Sequence, residues 1–107
     1  MPTPFALVVT TCGDKANAEL IATRLVEARL SACVQMFPIA SVYRWEGAVQ
    51  RAEEWMLFCK IRSSDYPTVE AAIRAVHPYS NPEIIEIAIE KGAKAYLDWI
   101  ASVTGCQ

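Results

Sequence analysis

The stretch CVQMFPIASVYRWEGAVQRAEEWMLFCKIR, residues 33–62, decides the fold. Its opening, CVQMFPIASVYRW, reads as one long strand interrupted at Pro38. Proline has no N–H to give to a ladder, so it predicts a bulge or a sheet edge there. The turn falls around WEGAVQ, where Gly47 supplies a permissive backbone. The return strand reads EEWMLFCKIR, with residues 55, 57, 59 and 61 on one face and 56, 58 and 60 on the other. Two strands of about ten residues or more exceed the usual five or six. Such a hairpin extends beyond the body of a small domain. Its tip carries Val42, Tyr43 and Trp45, which a lone subunit leaves in water as an aggregation hazard. The arm is therefore expected to dock on another subunit.

Upstream, FALVVT (5–10) is a short unbroken apolar run, as in a centrally buried strand. Gly13 permits a turn, and Asp14 is a good N-cap for KANAELIATRLVEARL. Apolar residues at 18, 21, 22, 25 and 28 have helical spacing, with Glu19, Arg24, Glu27 and Arg29 left to face water. Downstream, SSDYPTVEAAIRAV opens with capping serines and Asp65, with Pro67 in the first helical turn. Its apolar positions 66, 69, 72, 73 and 76 predict a second helix. The corner HPYSNP follows, then EIIEIAIE as a strand with 85, 87 and 89 on one face, ended by Gly92. The last segment, AKAYLDWIASV, places 93, 96, 97, 100 and 103 on one side of a third helix. The order β-α-β-β-α-β-α predicts an α+β fold of ferredoxin-like (split β-α-β) type. In it both of the first two helices cover one face of an antiparallel sheet, with a long central hairpin and an extra C-terminal helix. Residues 1–107 read as a single domain.

The composition narrows the function. Apolar residues make up 53% and charged residues 21%, greasier than an average soluble domain. The excess suggests apolar surface covered by a partner, most commonly an identical copy. A net charge of −2 with scattered basic residues gives no attraction to phosphate backbones, so no nucleic-acid partner is expected. The N-terminal apolar run lacks a basic region and is too short for a signal peptide or a membrane span. A cytoplasmic location and no membrane partner are the expectation. Four cysteines at 12, 33, 59 and 106 form no CxxC pair, so neither a disulfide framework nor a zinc ribbon is expected. Cys33 and Cys59 read as buried small hydrophobes, Cys12 and Cys106 as more exposed.

His77, the sole histidine, invites a mechanism. A Cys/His or Ser/His pair needs it as base, yet no nucleophile elbow is present. The loop TTCGDK holds one glycine and no phosphate-binding pattern. Glu53 and Glu54 alternate along a strand and point to opposite faces, a poor geometry for sharing a proton. Glu83 reads as a solvated strand end, or as a group that orients His77 or bonds to another subunit. No enzyme and no catalytic residue emerge. A metal would need several converging ligands, and one histidine does not close a site. His77 with Cys12, or three copies of His77 about a symmetry axis, are the candidate metal sets. The plain alternative is a histidine that hydrogen-bonds a carbonyl at a rigid corner.

The motifs L-x-ACV (30–34), S-x-Y-x-W-E-G (41–47), H-P-Y-x-x-P-E-I (77–84) and Y-L-x-W (96–99) together resemble the CutA family of divalent-cation tolerance proteins, over about residues 5–101. The resemblance implies a homotrimer whose hairpins extend each sheet across subunit boundaries. It implies involvement in the response to metal ions, with copper binding attributed to some members, and a likeness to the PII signalling proteins, whose subunit clefts bind small effectors. The family's bacterial copper assignment uses a cysteine ending the first strand and two adjacent histidines before PY. Here Thr10 and Val76 stand at two of those positions, so only His77 carries over, with Cys12 two residues past the strand position. The leading expectation is a trimeric binding or signalling module with weak affinity for copper or another divalent cation. The alternative is a structural or interaction protein with a small-effector cleft and only indirect metal effects.

Overall fold

The hairpin is longer and more regular than its sequence suggests. The computed structural model describes residues 3–105. β2 (Cys33–Trp45) and β3 (Ala48–Arg62) pair antiparallel without a break from Cys33↔Lys60 to Trp45↔Ala48. Pro38 sits opposite Trp55 in unbroken register, and β2 is the edge strand of the order β2-β3-β1-β4. Of the two expectations for Pro38, edge and bulge, the edge holds. Its missing donor faces away from β3, where no strand needs it. The turn is Glu46–Gly47, with φ of 51° and 79°. Two consecutive left-handed residues make the twisted turn that suits a two-residue hairpin. β3 begins at Ala48, five positions before the strand read from sequence, because AVQRA lacks the alternation that marks a strand. The arm draws the chain out to 44 × 27 × 22 Å and its radius of gyration to 14.4 Å, against about 13 Å for a compact chain of this length.

β1 (Phe5–Cys12) lies between β3 and β4 (Ile84–Ala88), as its apolar run predicts. Val8 pairs with Cys59 and Thr10 with Leu57. Ala6, Val8, Thr10 and Cys12 therefore share a face with Leu57, Cys59 and Ile61, and all seven are fully buried. α1 (Lys15–Glu27) covers that face with Ala18, Ile21, Ala22 and Leu25. α2 (Tyr66–Val76) adds Val69 and Ile73, with Tyr66, Ala72 and Val76 packed alongside. The fold is the expected split β-α-β arrangement.

Helix ends depart from expectation. Asp14 caps α1 as predicted, accepting the Asn17 N–H at 2.8 Å. The helix stops at Glu27, so Ala28 lies past its end and is exposed. Arg29 adopts φ 60° there, while the Leu30 and Ser31 N–H groups return to the Leu25 carbonyl. A non-glycine residue in the left-handed region leaves no signal in sequence. Ser63–Asp65 form a single 3-10 turn before α2, and Asp65 makes no side-chain cap bond. β4 ends at Ala88, although the Ile89 N–H still bonds to the Phe5 carbonyl at 3.0 Å. α3 (Lys94–Val103) buries Ile100 among its residues, while Tyr96 and Trp99 stay over a third exposed. Its C-terminus is held by the Arg62 guanidinium, which donates to Thr104 Oγ1 at 3.0 Å and to the carbonyls of Ala101 and Thr104. A cation on the last carbonyls also complements the helix dipole.

The second face of the sheet has no helix across its centre. Phe37, Ile85 and Ile87 lie there 39%, 48% and 49% exposed. At the arm's tip Val42, Tyr43, Trp45 and Val49 are exposed as expected.

Candidate functional site

At one end of that open face the arm, the end of β1 and the corner 77–83 enclose a cleft with a cavity volume of about 620 Å³. Strand alternation aims Thr11, Ser41, Tyr43, Trp45 and Glu54 toward the same face, and the corner supplies Tyr79, Asn81 and Glu83.

His77 closes the base of the corner. It is 9% exposed. Its Nδ1 accepts the Tyr79 N–H at 3.1 Å, and its Nε2 lies 2.6 Å from the Thr11 carbonyl. An Nδ1 that accepts must be unprotonated, so Nε2 carries the hydrogen and donates it. The ring thereby bolts the corner to a strand end 66 residues away. This is the corner histidine of the plain alternative, oriented by backbone groups and not by Glu83, which lines the cleft instead.

Cys12 departs from its expected exposure: it is fully buried. β1 continues through residue 12, paired with Trp55, and the alternation turns the side chain beneath α1. Its thiol points to the Asp14 carbonyl at 3.6 Å. Burial first, and the Asp14 charge second, push it up to about 11, so near neutrality it is a thiol. Cys59 is buried and pushed up to about 12, by burial and then by Cys33, which is itself half-buried. Cys106 lies outside the described residues.

Metal ions bind through lone pairs on deprotonated donors. Both ring nitrogens of His77 are committed to backbone groups, and the Cys12 thiol is buried and turned to the Asp14 carbonyl, so the pair offers no converging lone pairs to copper or another divalent ion. Symmetry copies of His77 meet the same obstacle. Among the described residues no group of three or more His, Cys, Asp or Glu side chains converges.

The residues that do converge went unassigned in the sequence. The Tyr79 hydroxyl donates to Glu54 Oε2 at 2.9 Å. Burial foremost, then this bond and the Glu54 charge, push the phenol up to about 12. Glu53 and Glu54 do face opposite ways, and the consequence is that Glu53 is exposed while Glu54 is 9% exposed. A Cβ at Gly13 would come 3.3 Å from the Tyr79 hydroxyl, so the missing side chain gives that ring its room. The signal for Tyr79 was present in HPY; that for Glu54 was not, because its partner is 25 residues distant.

A four-stranded antiparallel sheet in the order β2-β3-β1-β4, with two helices on one face and a long arm, defines a ferredoxin-like α+β protein. The chain belongs to the CutA1 divalent ion tolerance protein family, whose profile matches residues 6–103. It is 42% identical over 93 residues to the divalent-cation tolerance protein CutA of Archaeoglobus fulgidus, covering 87% of this chain and 91% of that one. It is 39% identical over 100 residues to the CutA of Thermus thermophilus, covering 92% and 97%. The crystal structure of CutA1 from the psychrotrophic bacterium Shewanella sp. SIB1 superposes with a TM-score of 0.95 at 36% identity, covering 99% of this chain and all of that one.

Proposed function

We propose that this protein serves divalent-cation tolerance as a self-associating binding module, a homotrimer whose cleft beside Tyr79 and Glu54 takes a small effector. Its effect on metal tolerance is then indirect, and no catalysis is involved. One observation carries the reading: an arm and a sheet face with Val42, Val49, Ile85 and Ile87 all 48–60% exposed. An apolar area of that kind on a subunit edge is covered by another copy at the least cost. The relatives' names support the tolerance role. The occupied nitrogens of His77 and the buried Cys12 thiol, turned to the Asp14 carbonyl, favour the effector reading over direct copper binding. Light scattering tests the assembly. The expected mass is near three times 11.9 kDa, falling toward one subunit when Ile87→Lys places a charge on the open face. A wild-type mass of a single subunit overturns the reading.

A further inference from the structure

Glu54 is a buried carboxylate without a countercharge. It is 9% exposed, and its Oε2 accepts from the neutral Tyr79 phenol. Among the described residues Oε1 accepts no hydrogen bond and keeps contact with solvent, and the ion pairs present, Lys15–Glu19, Arg74–Glu70 and Lys94–Asp98, lie elsewhere. A carboxylate with one oxygen held and the other open to a cleft is a ready acceptor for a charged hydrogen-bond donor. The only charged groups lining the cleft are Glu54 and Glu83, with no lysine or arginine among the lining residues. Tyr43, Trp45 and Tyr79 line it with aromatic rings, beside the neutral side chains of Thr11, Ser41, Val42, Ser80 and Asn81. Aromatic faces attract a cation electrostatically and shed water from its alkyl part. A hard divalent ion demands several converging oxygen or nitrogen ligands and gains little from aromatic walls, and among the described residues no three His, Cys, Asp or Glu side chains converge. A small organic cation satisfies both features at once.

We propose that the Glu54–Tyr79 cleft is a binding site for a small organic cation of the alkylammonium or guanidinium class. The ammonium sits against Glu54 Oε1, with Glu83 at the mouth, and the alkyl part lies between Tyr43 and Trp45. The Tyr79 hydroxyl holds the other carboxylate oxygen and fixes its orientation. The proposal rests on the reading of this cleft as the effector site and names the ligand's chemistry.

The test is calorimetric titration of the full chain with n-butylammonium chloride, followed in parallel by tryptophan fluorescence, with sodium butyrate and copper(II) chloride as separate titrants. Butylammonium is expected to bind saturably and to cause a fluorescence change that is lost in Trp45→Phe, while butyrate gives no saturable signal. Glu54→Gln, which keeps shape and removes charge, is expected to weaken butylammonium at least about tenfold, and Glu83→Gln less. If Glu54→Gln does not fold by circular dichroism, Trp45→Ala and Glu83→Gln carry the test, each expected to weaken binding. Absence of saturable butylammonium binding, equal affinity in the charge-removing variant, or saturation by butyrate or copper instead overturns the proposal. Light scattering on the same samples separates the two readings. A trimer that ignores butylammonium refutes the ligand class alone, and a single subunit that binds it refutes the assembly alone. If Glu54 pairs instead with a basic side chain of another copy, Glu54→Gln lowers the assembled mass and butylammonium fails to bind, which also overturns the proposal.

Discussion

The two faces of the sheet are built from the same strands and almost the same residue types, yet they end in different surroundings. On one face Ala6, Val8, Leu57, Cys59 and Ile61 are fully buried under α1 and α2. On the other Phe37, Ile85 and Ile87 keep 39–49% of their surface in water. A sheet meant to face solvent would alternate apolar and polar residues; this one is apolar on both sides. The difference teaches that the closed core and the open apolar face draw on separate sets of residues, interleaved one by one along each strand.

The largest effect expected from pressing on that contrast is Leu57→Ala. Emptying a fully buried leucine site costs about 2–5 kcal/mol, seen in urea unfolding, whereas Ile87→Ala should change the assembled mass more than the subunit's stability. Equal losses from the two, in a chain of constant mass, break the distinction between the faces. The next effect is one of pH. Cys59 and Cys12 have ordinary values of 9.0 but are pushed up to about 12 and about 11 in the folded chain. The folded state thus holds protons that the unfolded state releases. The associated stability is intact below pH 9 and declines as pH rises from about 9 toward 12. Replacing Cys59 with alanine should flatten that decline in denaturation midpoints taken across the range, and an unchanged slope would show that the covered face does not exclude water as described.

A smaller loss is expected where the faces meet the corner. His77→Ala leaves the Thr11 carbonyl and the Tyr79 N–H without their partner, at a cost of about 1–3 kcal/mol. Copper titration should be the same for this variant and wild type; a copper isotherm that vanishes with the imidazole would restore the ligand role. The smallest effect is Thr10→Val. Thr10 Oγ1 is buried with no hydrogen-bond partner. Removing it should leave stability unchanged or raise it by up to about 1 kcal/mol, read from the melting midpoint. A clear loss would reveal a bond to that hydroxyl within the covered face.

Much of the fold was legible because local rules govern it. Positions 18, 21, 22 and 25 mark the buried stripe of α1, and Asp14 marks its start; both follow from helix periodicity and capping chemistry. The exposed tip was legible too, since Val42, Tyr43 and Trp45 sit beyond any body that such a short chain encloses. Other features were hidden for physical reasons. Arg29 ends α1 in a conformation usually left to glycine. Residues 48–52 join β3 because β2 offers a ladder, not because they alternate. Cys12 is covered because β1 runs two residues further than its apolar run.

The order of elements, the overlong arm and the doubly apolar sheet were determined by the sequence alone, since each depends on spacing within a few residues. The site was decided by tertiary structure. The hydrogen bond of His77 to Thr11 and of Tyr79 to Glu54 spans 66 and 25 residues. Which donor meets which acceptor over such distances is set by strand register and by where the corner docks, and no local pattern encodes either.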